Sequence, residues 1–155
     1  MVCKNAFCVG DVIIKDTLVQ APQRDSEKQE QHHCVIVADE LVFVLGKSQQ
    51  YYDNLKPFLP VLKVADYPWL DQDRYVDCCV VMNYTAFEIK FDIGKRLNPQ
   101  DIKRIYLALE SVRMLSSDEK LEKKIDIPAR HIEKIMNSIN DWALDIYNKP
   151  VTELQ

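Results

Sequence analysis

Glycine is scarce in this chain of 155 residues: only Gly10, Gly46 and Gly94 are present, and no two stand in a Gly-x-Gly spacing. That excludes a glycine-rich phosphate loop, in which closely spaced small residues let backbone amides reach the ligand. No apolar run approaches the ~20 residues that a bilayer span needs. The first twelve residues carry Lys4, Asn5 and Asp11 where a signal peptide would have a continuous apolar stretch. The expectation is therefore a soluble, cytoplasmic protein. The five cysteines (Cys3, Cys8, Cys34, Cys78 and Cys79) include no Cys-x-x-Cys pair, so neither a disulfide framework nor a zinc cage is expected. They read as small buried hydrophobes in a reducing compartment. A basic excess is also lacking. The formal net charge is -4 and the pI is about 5.4, whereas nucleic-acid binders usually carry a positive field against phosphate. Any such partner would have to be met by a local patch.

What is present suits one well-buried core: 47% of residues are hydrophobic, ample for a single domain of this length. Residues 10–19 read as a β-branched strand. Residues 20–33 are nearly all polar, with Pro22 as a breaker, and read as a long exposed loop. Residues 34–38 and 41–45 are short apolar runs joined by Asp39 and Glu40, the pattern of two adjoining buried strands. Residues 51–60 look irregular and 61–65 form a short strand. Residues 75–82 read as a long buried strand that includes Cys78 and Cys79. Residues 87–91 alternate, with one face to the core and the other to water.

After Gly94 the period changes to that of a helix. Asn98 is a natural N-cap with Pro99 in the first helical position, and Ile102, Ile105, Tyr106, Leu109 and Val112 share one face. Residues 116–124 suit a short exposed helix or a linker. A second helix spans 128–147, with Asp126 as its cap and Pro150 as its stop. Its stripe is Ile132, Ile135, Met136, Ile139, Trp142, Ala143 and Ile146, which demands a partner, either the barrel or a second subunit. The reading is an α+β fold whose strands close into a small barrel, since closure removes exposed edges. Residues 1–115 form the barrel with its helix, and residues 116–155 form a C-terminal helical extension.

The order of these pieces resembles the MazF/PemK family of growth-inhibitor toxins from type II toxin-antitoxin systems, which includes Kid. Gly10-Asp11-Val12-Ile13-Ile14 is similar to the family's opening strand. A polar loop ending in Gln31-His32-His33-Cys34 leads into Val35-Ile36-Val37, where the family has Arg-Pro before its strand. Lys47-Ser48-Gln49 is similar to the Thr or Ser followed by Gln that ends the family's second strand. Leu59-Pro60-Val61-Leu62-Lys63-Val64, residues 75–83 and the stretch from Ile93-Gly94-Lys95-Arg96 to Ile102 match later segments. The resemblance covers about two thirds of the chain, up to about residue 115.

The resemblance implies an SH3-like barrel and a metal-independent endoribonuclease acting on single-stranded RNA. It also implies a homodimer neutralised by an antitoxin protein, with no cofactor. The RNA's own 2'-hydroxyl attacks the adjacent phosphate, so the protein must take that proton, stabilise phosphoryl charge and protonate the leaving oxygen. The family places an Arg at the loop–strand junction and a Thr or Ser after the second strand. In this chain His33 stands at the Arg position and Cys34 replaces the proline. The catalytic candidates are His33 as acid/base and Ser48 as a donor to phosphate. His32, Lys47 and Gln49 are candidates for positioning RNA. Lys95 and Arg96, beside Gly94, either touch phosphate or form a solvated turn. Metal binding is not expected, because His32 and His33 diverge on a strand. The missing Arg, the acidic pI and the added helix support a second reading: an interaction module that kept the barrel and lost the active site.

Overall fold

The computed structural model describes residues 3–4, 7–18, 29–47, 53–83 and 89–155. Strands β1 (Cys3–Lys4) and β2 (Phe7–Cys8) pair as a small hairpin. The main antiparallel sheet is built from β3 (Asp11–Leu18), β4 (Gln29–Ala38), β5 (Leu41–Gly46), β6 (Val61–Leu62), β7 (Arg74–Val76), β8 (Met82–Asn83) and β9 (Ile89–Arg96). Its hydrogen-bonded order is β6-β7-β5-β4-β3-β9, with β8 also on β5. Three helices follow: α1 (Pro99–Arg113), α2 (Ser117–Glu122) and α3 (Ala129–Tyr147). The class is α+β, as the sequence implies.

Registration explains why the central strands are apolar on both sides. Val12 pairs with Val35 and Val35 with Phe43, while Ile13 pairs with Cys34 and Cys34 with Val44. Successive side chains point to opposite faces. The first row enters a large core shared with the helices, and the second belongs to a smaller cluster of Ile13, Cys34, Ile36 and Val42. The turn at Asp39 and Glu40 holds Glu40 at φ 66, a left-handed conformation that lets the two strands reverse directly. Gly10, at φ 90, donates to the Ile36 carbonyl (2.7 Å) and accepts from the Leu97 amide (2.9 Å). A Cβ there would lie 2.7 Å from Ile102 Cδ1, so a glycine is required where β3 meets α1.

Asn98 caps α1 as expected, its Oδ1 accepting from the Asp101 amide at 2.8 Å. The helix buries Ile102, Ile105, Ala108, Leu109 and Val112. Ser116 and Glu119 form a reciprocal capping box around the start of α2. Helix α3 packs on α1 and β4 and buries Ile132, Ile135, Met136, Ile139, Trp142 and Ala143 in the large core.

Several local readings are corrected. Five residues of the supposed polar loop, 29–33, belong to β4, because backbone hydrogen bonds to β3 do not depend on side-chain polarity. The strand read over 75–82 is broken into β7 and β8. Asp77 turns the chain there, its Oδ1 accepting from the Cys79 amide (3.1 Å) while its own amide donates to the Val44 carbonyl (3.0 Å). Cys78 and Cys79 thus lie in a turn. The strand read over 61–65 is only Val61–Leu62, and the irregular 51–60 stretch contains a 3-10 helix, Asp53–Phe58. Pro128, not Asp126, is the N-cap of α3; the Asp126 amide donates to the Cys79 carbonyl instead (2.9 Å). Ile146 is half-exposed rather than part of the buried stripe. Cys8 is disulfide-bonded, contrary to expectation, whereas Cys34, Cys78 and Cys79 are free and buried. Among the described residues, no helix is long and apolar enough to cross a membrane.

Candidate functional site

His33 lies on β4 opposite Ile14 of β3. Strand alternation sends it to the face of Val35 and sends His32 to the face of Cys34, so the two imidazoles diverge as the sequence implies. Both are half-buried. The His33 ring stands 6.2 Å from the ring of Trp69, centroid to centroid, with a 31° tilt. Trp69 belongs to the loop between β6 and β7, and that loop also supplies Asp71.

Arg74 opens β7, which reaches β5 through the Leu45–Val76 pair. Its side chain is buried. It donates from Nε (3.1 Å) and Nη2 (2.8 Å) to Oδ1 of Asp71, and from Nη1 (3.3 Å) to the Leu45 carbonyl. The Asp71 carboxylate is largely exposed, and the hydrogen bond from Arg74 holds its pKa below the ordinary carboxylate value. The guanidinium is therefore fixed in orientation by one carboxylate and one main-chain oxygen.

These groups set the state of His33. Burial lowers its pKa below the ordinary 6.5, and the positive charges of Arg74 and Lys47 lower it further; Asp71 opposes them more weakly than Arg74 acts. The imidazole is accordingly neutral at neutral pH and able to accept a proton. Lys47 is exposed just past the end of β5 and adds its positive charge to the same neighbourhood.

Trp69 is held in turn by Tyr67, whose ring meets it edge-on at 5.7 Å and 68°. The Tyr67 hydroxyl donates to Oδ2 of Asp101 (2.5 Å) and accepts from the Asn98 amide (3.0 Å). Burial, then the bond to Asp101, pushes the phenol's pKa well above its usual range, so it remains a donor. The start of α1 thereby anchors the loop that carries Trp69 and Asp71.

Of the residues singled out in the sequence, His33 and Lys47 come together. Ser48 and Gln49 lie outside the described residues. His32, Lys95 and Arg96 are not among the groups acting on His33. Arg96 donates from Nε to Oδ1 of Asp11 (2.7 Å), and Oδ2 of the buried Asp11 accepts from the Cys8 amide (2.8 Å). That pair ties β9 to β3. Lys95 is exposed opposite Val12, one strand beyond the β3–β4 pair. Sequence reasoning missed Trp69, Asp71 and Arg74. The available signal was a charged residue heading an apolar strand with an acid three positions earlier. Among the described residues, no group of three or more His, Cys, Asp or Glu side chains is placed to hold a metal ion. Comparison with protein-family models and with curated proteins finds no match to this chain.

Proposed function

We propose that this chain is a divergent MazF/PemK-like growth inhibitor that cleaves single-stranded RNA without a metal, using His33 as acid/base. The observation that carries the reading is a half-buried imidazole on β4 whose pKa is lowered by burial and by the positive charges of Arg74 and Lys47, against Asp71. Histidine cannot clamp a phosphate as the family's guanidinium does. Here a guanidinium approaches from β7 instead. Arg74 has its donors on Asp71 and Leu45, so it supplies field, while the exposed Lys47 is free to meet phosphate oxygens directly. In the reaction, His33 accepts the proton of the ribose 2'-hydroxyl as that oxygen attacks the adjacent phosphorus. The P–O5' bond breaks, leaving a 2',3'-cyclic phosphate, and the protonated imidazole returns a proton to the departing 5'-oxygen. Ser48 is assigned as a donor to phosphate, with Gln49 positioning RNA. Lys95 is the better phosphate candidate of the Lys95–Arg96 pair, because Arg96 is committed to Asp11.

The same reading includes closure of the sheet into an SH3-like barrel, a cytoplasmic homodimer and neutralisation by an antitoxin protein. The second reading, a non-catalytic interaction module, is favoured by one feature: Asp71 neutralises Arg74, in a protein already of net charge -4.

The test is incubation of purified protein with single-stranded RNA in the presence of a chelator, alongside growth on induced expression. Cleavage to cyclic-phosphate ends is expected, reduced about 100-fold or more in His33→Ala with an unchanged melting curve. Intact RNA together with unslowed growth would leave the interaction module as the function.

A further inference from the structure

We propose that the cleft between the 3-10 helix Asp53–Phe58 and α1 binds a small amphiphilic carboxylate, an apolar body carrying one carboxyl group. The site is independent of the ribonuclease reading, because none of the groups acting on His33 lines this cleft.

The cleft has a volume of about 360 Å³, at the small end of the ~300–1,000 Å³ usual for ligand sites. Its walls are apolar. Pro57, Pro60 and Val61 form one side and Leu107 of α1 the other, and the buried Leu59 and Ala108 complete the lining. Leu107 is 42% exposed, although Ile102, Ile105, Leu109 and Val112 of the same helix are buried. The backbone here has little to offer a ligand. Pro57 and Pro60 have no N–H, and the Leu59 amide donates to the Lys56 carbonyl (3.2 Å). The Pro60 carbonyl accepts from the Val76 amide (2.8 Å), and the Ser111 hydroxyl donates to the Leu107 carbonyl (3.2 Å). Recognition of a polar group therefore falls to two cations, Lys56 from the 3-10 helix and Arg104 from α1.

Arg104 is oriented before any ligand arrives. Its Nη1 donates to the Val61 carbonyl (2.7 Å) and to Oδ1 of Asp101 (2.8 Å), which fixes the plane of the guanidinium. Its Nε and Nη2 donate to no group among the described residues, and the side chain is 46% exposed. Nε and Nη2 present the parallel pair of N–H groups that grips a carboxylate. Lys56, also exposed, adds a second positive charge. No Asp or Glu is in the lining, in a protein whose net charge is -4. The cations thus select an anion, and the walls select one with a hydrocarbon body. A sugar phosphate would leave its hydroxyls against hydrocarbon without partners, at a cost in binding. The small volume suits a short chain or a single ring.

The probe is octanoate, titrated into the full chain while backbone amide chemical shifts are followed, with acetate and 1-octanol as its polar and apolar halves. Saturable shifts at the cleft are expected for octanoate, with a Kd on the order of 0.1–1 mM. Arg104→Gln should weaken octanoate about 10-fold or more, the loss expected of a charge-assisted hydrogen bond. Acetate and 1-octanol should each bind the native chain more weakly than octanoate by a similar factor. Leu107→Glu, a change at an exposed position, should abolish saturation by setting a like charge in the wall. That variant keeps the test decisive should Arg104→Gln fold poorly, since Arg104 also holds Asp101 and Val61. Equal binding of octanoate and 1-octanol would show that the carboxylate is not recognised and would overturn the site. Octanoate shifts that neither variant alters would place binding elsewhere and overturn it as well. Failure of octanoate to saturate would do the same, whether or not a peptide or a second copy occupies the cleft instead. RNA cleavage, or its absence, moves none of these readouts.

Discussion

At the scale of single residues, the state of His33 makes a prediction independent of catalysis. Its pKa in the fold is below 6.5, chiefly through burial and then through Arg74, whereas in the unfolded chain it returns to about 6.5. Between those two values the unfolded chain binds more protons, so stability rises with pH across that window. The contribution is fully present above about pH 6.5 and is lost as pH falls through the lower, folded value. Replacing His33 with Gln removes the proton without removing a polar side chain. The fall in melting temperature from about pH 7.5 to about pH 5.5 should therefore be smaller in His33→Gln than in the native chain. Equal falls would mean that the imidazole is not desolvated. His33 was singled out in the sequence as the end of a polar stretch, at the position of the family's Arg; that it lies inside β4 was not legible there. Arg74, Asp71 and Trp69 were not legible either, because they reach it through the pairing of Leu45 with Val76 and Gly46 with Tyr75, a contact between segments that no local pattern encodes.

At the scale of elements, helices were read more faithfully than strands, for a physical reason. A helix satisfies its own backbone, so capping residues and a 3.6-residue stripe suffice to locate it; Asn98 and the stripe from Ile132 to Ala143 show this. Strands depend on neighbours, and the break at Asp77 follows from its amide reaching the Val44 carbonyl, which the apolar run over 75–82 conceals. Even the helical stripe misleads at its end. Ile146 is seven residues beyond Ile139 and on the same side, yet Ile139 is 0% exposed and Ile146 is 48% exposed. The chain reverses at Asn148, with φ 57, and returns so that the Val151 amide donates to Oδ1 of Asn140 (2.9 Å). Val151, at 0% exposure, enters the core while Ile146 stays at the rim. Ile139→Asp should consequently cost about 4 kcal/mol or more, the range of an unpaired charge in a core. Ile146→Asp should cost under about 1 kcal/mol, as expected of a surface change. Chemical denaturation of the two variants checks the pair, and similar losses would place both residues in the same environment.

At the scale of the molecule, the sequence divides at residue 115 by pattern, but its hydrophobic core does not. Val35 and Val37 of β4, Ile105 and Leu109 of α1, and Ile135, Ile139 and Trp142 of α3 belong to one cluster. Helix α3 touches both β4 and α1, so it covers an apolar face of the sheet that residues 1–115 cannot cover themselves. Burial of a large apolar side chain contributes about 1.5–3 kcal/mol. Ile132, Ile135, Met136, Ile139 and Trp142 together therefore rival the ~5–15 kcal/mol that holds a typical domain folded. Removing them also strips the partner atoms from β4 and α1. A fragment of residues 1–115 should then lose its cooperative melting transition and expose apolar surface to a hydrophobic dye, whereas the full chain should unfold in one step. The sheet and α3 stand or fall as one cooperative unit on this argument. A fragment that melts sharply as a soluble species would show instead that the sheet and α1 are self-sufficient, and that α3 is an addition to a domain already complete.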